Sequence, residues 1–183
     1  PLAGGIAVGF TLAASLLAGA ALVLAGVWER EQTELIAYGY ANRIPQLAAI
    51  LSAAVGMLVL GALDDRVELS PAVKFSGQFA LALLVALSGV RATVFVDSIV
   101  FSHLVTVLWI LTLVNAFNFL DNMNGLCAGL GAIATLTFAV ASGLAGQYLV
   151  ASMNLVTAGA LLGFLPYNFP NARSFLGDSG SHL

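Results

Sequence analysis

The stretch NAFNFLDNMNGLCAG, residues 115–129, decides how this chain is read. It lies where an apolar segment of membrane-spanning length should be ending. Asn115, Asn118, Asp121, Asn122 and Asn124 interrupt it with four amides and a carboxylate. Asn115, Asn118 and Asp121 follow at three-residue steps, so on a helix they form one slanting polar ridge. An ionisable group at membrane depth is expensive and usually faces a cavity or a partner. The ridge therefore either glues helices together or belongs to a site.

Composition places the stretch in a membrane. The 183 residues are 60% hydrophobic and only 8% charged, against about 25% charged in ordinary soluble domains. Mean hydropathy is +1.00. Too few charges remain to cover the surface of a water-soluble fold. Six basic and nine acidic residues leave a net charge of −3, which supplies no basic patch for nucleic acid. The single cysteine, Cys127, excludes an internal disulfide and reads as a small packing residue. The chain starts at Pro1 and stops after a Gly- and Ser-rich loop, and is read as an internal piece of a longer protein.

Working outward, six apolar spans can be drawn, at residues 2–28, 45–63, 72–90, 103–120, 126–146 and 148–169. Each is near the roughly 20 residues needed to cross the hydrocarbon core, and apolar side chains run all round it. The expected fold is an all-α polytopic transmembrane helix bundle. Gly125 and Gly129, and Gly159 and Gly163, stand at the spacing that lets helices approach closely in lipid. Residues 29–43 read as a polar, solvated connector, and residues 93–96 as a strand-like run. Trp28, Tyr148 and Tyr167 suit interfacial anchors. His103 opens a span on the far side and reads as a non-functional polar residue.

Six crossings send the ends of spans two, four and six to one face. Asp64 and Asp65 end the second, Asn118, Asp121 and Asn124 the fourth, and the sixth leads into Gly177-Asp178-Ser179-Gly180-Ser181. Five acidic residues, Asp64, Asp65, Glu68, Asp121 and Asp178, share that face. The basic residues divide evenly, three to each side, so charge bias does not orient the chain. Adjacent carboxylates stay ionised only beside a cation. Carboxylates gathered with few basic groups suit Mg²⁺, which favours one or two of them plus substrate phosphates; Lys74 and Arg66 are placed to contact such phosphates.

At this point the residues resemble the polyprenyl-phosphate N-acetylhexosamine-1-phosphate transferases, which include the phospho-N-acetylmuramoyl-pentapeptide translocases. Pro1-Leu2-Ala3-Gly4-Gly5 is similar to the family's Pro/Gly-Gly loop. Leu63-Asp64-Asp65-Arg66, with Leu69-Ser70-Pro71, Lys74 and Gln78, resembles its double-aspartate motif and following helix. Asn115-Ala116-Phe117-Asn118-Phe119-Leu120-Asp121 resembles its Asn-x-x-Asn-x-x-Asp motif. Phe175-Leu176-Gly177-Asp178-Ser179-Gly180-Ser181 resembles its Gly-Asp-x-Gly-Ser loop. Four matches in order are far more specific than any one. Members commonly carry aspartate where this chain has Asn124, and they have about ten spans, so the first span and the later helices fall outside this piece.

The resemblance implies one transmembrane catalytic domain over residues 1–183, incomplete at both ends. It implies transfer of a sugar-1-phosphate, expected to be GlcNAc-1-phosphate, from a UDP-sugar to undecaprenyl (polyprenyl) phosphate. UMP leaves, and a lipid-linked cell-envelope glycan is begun. Asp178 is the expected Mg²⁺ ligand, with Mn²⁺ as substitute. Asp64 would orient or deprotonate the acceptor phosphate with support from Asp65, and Asp121 would shape the donor pocket or the metal surroundings. Lys74, Asn115, Asn118 and Asn124 fall at substrate-binding positions, and His182, beside the Gly-Asp loop, is a candidate on the substrate side. The implied setting is the cytoplasmic (inner) membrane, multi-pass, with the active face cytoplasmic and a homodimer compatible with it. An ion-coupled transporter is the competing reading. It needs carboxylates in mid-span beside broken helices, whereas these sit at span ends.

Overall fold

A computed structural model describes residues 3–25 and 30–183, with the side chains of 20, 23, 24 and 30–42 outside the description. Pro1, Leu2, Trp28 and Glu29, to which the sequence reading gave roles, therefore lie outside the described residues. Helices run in the order α1 (Gly4–Leu24), α2 (Arg30–Val67), α3 (Pro71–Leu87), α4 (Ile99–Leu120), α5 (Leu126–Leu144), α6 (Tyr148–Asn168) and α7 (Gly177–Ser181). Among the described residues, four stretches have the length and composition to cross a membrane: Arg43–Val67, Ile99–Leu120, Leu126–Leu144 and Tyr148–Asn168. Gly4–Gly19 and Pro71–Leu87 are shorter apolar helices. The molecule is an all-α polytopic membrane bundle.

Two local expectations are corrected. The polar connector drawn at 29–43 is helical from Arg30 on and continues into the span as one helix of 38 residues. Its Glu, Gln, Leu, Ala and Arg are good helix formers, and nothing in that segment breaks the helix. The run at 93–96 forms no strand, since among the described residues no partner strand lies beside it. Phe95 instead takes a positive φ of 37° at full exposure.

Small residues set the packing. Ala82 and Ala86 of α3 are fully buried and meet Val107 and Leu111 of α4. Cys127, Ala128, Ala160 and Phe164 join α5 to α6 around Val8 and Leu176, so Cys127 is the packing residue its neighbours suggested. Lipid tails are as apolar as leucine, so such helices associate by close van der Waals fit, which small side chains permit. Phe10, Trp109, Ile133 and Phe138 point outward at more than 60% exposure, a surface that only a bilayer makes affordable. Tyr148 and Tyr167 are likewise exposed near the ends of α6.

The glycines separate into two groups. A side chain at Gly129, Gly159 or Gly163 would meet nothing within 4 Å, so close approach there is not used among the described residues. At Gly61 of α2 a Cβ would fall 2.3 Å from the Asp178 carbonyl oxygen, and at Gly5 of α1 it would fall 2.2 Å from the Gly180 nitrogen. Those two glycines let α7 sit against the backbones of α1 and α2. The N–H groups of Gly4 and Gly5 donate to the carbonyls of Phe175 and Leu176 at 3.0 and 2.9 Å, which ties the segment down.

Candidate active site

The ends of α2, α4 and α6 converge with α3 and α7, as the parity of the crossings requires. Ser70 and Pro71 open α3, proline fitting the first turn where its missing N–H costs nothing. The turn before it is held by Asp64, whose Oδ1 accepts from Leu69 N at 2.7 Å. One turn into α3, Lys74 extends back and pairs with Asp64 Oδ2 at 2.8 Å. The same ammonium donates to Asp178 Oδ2, and it lies 3.5 Å from Asn118 Oδ1. Asn118 Nδ2 donates to Asp178 Oδ1 at 2.8 Å and to Ser181 Oγ at 3.0 Å. Lys74, Asp64 and Asp178 are part-buried, with Asp178 the most open at 30% of its side chain.

Asp65, adjacent to Asp64, faces elsewhere. Its two oxygens accept from the backbone N–H groups of Asp178 and Ser179 at 2.8 and 3.1 Å. Asp121, at the end of α4, accepts from Gly177 N at 3.1 Å. Three successive N–H groups that open α7 are thus held by two carboxylates, the acceptors a helix N-terminus prefers. Gly177 itself takes a φ of +69°, a conformation that suits glycine. Burial raises the Asp121 carboxyl from its ordinary 3.8 to about 6, with the nearby Asp178 and Asp65 charges adding to the rise and the Gly177 N–H opposing it. His182 is 3% exposed, and burial together with Lys74 holds its imidazole below its usual range.

Of the residues singled out in the sequence, Asp64, Lys74, Asn118 and Asp178 meet in one bonded cluster, with Asp65 and Asp121 behind it. Asn115 stands one turn away and bonds Gln78 at 2.8 Å. Asn124 is exposed in the α4–α5 turn, and its amide donates to Pro170 O at 3.2 Å. Arg66 is exposed. His103 Nδ1 lies 2.7 Å from Ile99 O, one turn back on its own helix, at the opposite end of α4. Gly61 and Asn168 carry structure the sequence did not flag. Asn168 accepts from Gly125 N at 2.6 Å and donates to Ser174 O at 3.0 Å, joining the two loops around the site. A lone amide at the end of an apolar span was the available signal.

One ammonium touching both Asp64 and Asp178 places two carboxylate oxygens within reach of a single cation. No group of three His, Cys, Asp or Glu side chains that could hold a metal occurs among the described residues. That donor set does not suit a protein-caged transition metal. It fits Mg²⁺, which takes few carboxylates and completes its shell with water and phosphate oxygens.

Fold and cluster define a polytopic membrane protein with a polar site, built of carboxylates, amides and one lysine, at one rim of the bundle. The chain belongs to glycosyl transferase family 4, whose pattern matches residues 47–183. A probable undecaprenyl-phosphate N-acetylglucosaminyl 1-phosphate transferase of Bacillus subtilis (strain 168) is 38% identical, over 74% of this chain and 40% of its own length. The decaprenyl-phosphate N-acetylglucosaminephosphotransferase of Mycobacterium tuberculosis (strain ATCC 25618 / H37Rv) is 38% identical, over 75% and 38%. The phospho-N-acetylmuramoyl-pentapeptide-transferase of Deinococcus radiodurans is 33% identical, over 100% and 57%. The chain spans about two fifths of the first two relatives and 57% of the third.

Proposed function

We propose that this chain carries the catalytic core of a polyprenyl-phosphate N-acetylglucosamine-1-phosphate transferase. A phosphate oxygen of the lipid acceptor attacks the sugar-bearing phosphorus of UDP-GlcNAc. The bond from that phosphorus to the bridging oxygen breaks, UMP leaves, and a polyprenyl-pyrophosphoryl sugar remains. The observation that supports this most is the bridge from Lys74 to both Asp64 and Asp178, backed by Asn118. Two anions must be brought together, and this cluster holds a fixed cation between two carboxylates at a bilayer rim, where a lipid phosphate can meet a soluble donor.

Mg²⁺, held by Asp178, would offset the repulsion between the phosphates and polarise the attacked one. Asp64 sits where it can orient the acceptor phosphate or take its proton. Lys74 supplies a point charge to a phosphate oxygen, and Asn118 keeps the Asp178 carboxylate in one orientation. Asp65 and Asp121 act through the α7 backbone, fixing where Asp178 stands. Asn124, at the rim beside Pro170, is a contact for the uridine end of the donor. Nucleotide sugars are cytosolic, so the cluster faces the cytoplasm. The clustering of carboxylates at helix ends, not in mid-span, weighs against the transporter reading.

The test is full-length protein in detergent with UDP-GlcNAc, undecaprenyl phosphate and MgCl₂, with UMP and lipid product both quantified. The native protein should form both in equal amounts, and EDTA should stop it. Asp178→Asn should abolish turnover at any practical Mg²⁺ concentration, because a neutral amide is a poorer ligand for a hard cation. UMP release without lipid product, or full activity in the Asp178 variant, would overturn the assignment.

A further inference from the structure

A second tier of polar side chains lies one helical turn beneath the cluster. Gln78 follows Lys74 by four residues on α3, Asn115 precedes Asn118 by three on α4, and His182 follows Asp178 by four at the end of α7. Each spacing keeps the pair on one helix face. The deeper residues are joined as the upper ones are. Asn115 Nδ2 donates to Gln78 Oε1 at 2.8 Å, and Gln78 Nε2 lies 3.3 Å from His182 Nε2. Gln78 is fully buried and His182 nearly so.

The direction of the relay follows from one backbone carbonyl. Asn115 Nδ2 also lies 2.9 Å from Leu111 O. That oxygen only accepts, so the Asn115 atom facing it is the NH₂ group. Gln78 must then present its oxygen to Asn115 and its NH₂ to the imidazole. A ring nitrogen facing an NH₂ group must accept, so His182 Nε2 is bare and Nδ1 carries the proton.

We propose that His182 is a positioning residue, holding α7 to α3 and α4 through Gln78 and Asn115 so that the Asp178 carboxylate meets Lys74 and Asn118 in one geometry. In a bilayer no hydrophobic drive fixes the spacing of such helices, and the buried chain from Asn115 through Gln78 to His182 Nε2 favours one arrangement, while His182 Nδ1 has no partner among the described residues. The α7 helix has five residues and cannot hold its own register. His182 N donates to Asp178 O at 3.2 Å, so anchoring the imidazole restrains the Asp178 backbone directly. This inference rests on the proposed transfer reaction for its kinetic consequence, and on hydrogen bonding alone for the relay.

Two measurements separate the layers. In full-length protein with ¹⁵N-labelled histidine, the ¹⁵N NMR signals lost in His182→Gln identify this imidazole, and they should place its proton on Nδ1 with Nε2 bare. Gln78→Leu should remove that preference. A proton on Nε2 in the unsubstituted site overturns the relay, whatever the enzyme does. In kinetics, His182→Leu should lower kcat by about tenfold or more with donor KM nearly unchanged, the signature of misplaced catalytic groups. His182→Gln, whose amide oxygen reaches the Nε2 position, should recover most of that loss. Native kcat in the Leu variant, or no recovery in an equally folded Gln variant, overturns positioning. Absence of transfer by the native protein would count against the proposed reaction, and the NMR result would still decide the relay.

Discussion

At the scale of single residues, the site separates groups that face the open rim from groups that face backbone. Asp64 and Asp65 are neighbours in sequence, yet one meets an ammonium and the other two N–H groups. Asp121 belongs with the second kind, and its titration follows from burial. Its carboxyl ionises at about 6 against an ordinary 3.8, so the folded protein favours the protonated form. That contribution is fully present below about 3.8 and is lost as pH rises through 6. Asp121→Asn keeps an oxygen for Gly177 N and never ionises. In EDTA it should melt a few degrees above the native protein at pH 7.5, and the margin should vanish near pH 4. Equal melting midpoints across that range would show that Asp121 ionises without penalty.

At the scale of elements, the decisive contact is α7 against α2. A methyl group at Gly61 would fall within 2.5 Å of the Asp178 and Ser179 backbone, which no side-chain rotation can relieve. Overpacking of this kind costs about 1–3 kcal/mol, and here it would also displace Asp178. Gly61→Ala should therefore lower both the melting midpoint and transfer activity. Gly163→Ala is the matched control, since nothing lies within 4 Å of it; it should alter neither. Equal effects from the two variants would mean that the close approach is not what seats α7. The four-residue glycine pairs looked like the packing sites in sequence, yet Gly129, Gly159 and Gly163 face nothing within 4 Å, and backbone crowds Gly5 and Gly61 instead. Spacing reports only that two glycines share a face, and whether a backbone passes in front of that face depends on another helix.

At the scale of the whole molecule, topology gives the sharpest check on the proposed orientation. Single cysteines at Arg66, Asn122 and Arg173 should all react with a membrane-impermeant thiol reagent from the cytoplasmic side, and one at Phe95 only from the other side. Cys127 is buried and gives a low background. Labelling of any of the first three from outside would invert or break the arrangement. The membrane class, the six apolar helices and the gathering of Asp64, Asp121 and Asp178 on one face were determined by the sequence itself, whereas the helical run from Arg30 and the short α7, read there as connector and loop, were not. Hydropathy is a sum over a local window, and counting crossings needs nothing else. What only the tertiary structure decided is the pairing: Lys74 with Asp178 across 104 residues, Asp65 with the Asp178 backbone across 113, and Gln78 with His182 across 104. Such pairs depend on how far each helix is rotated and how closely its neighbour approaches. Those quantities are set by residues distant in the chain, Gly5, Gly61 and Ala82 among them, and no local stretch encodes them.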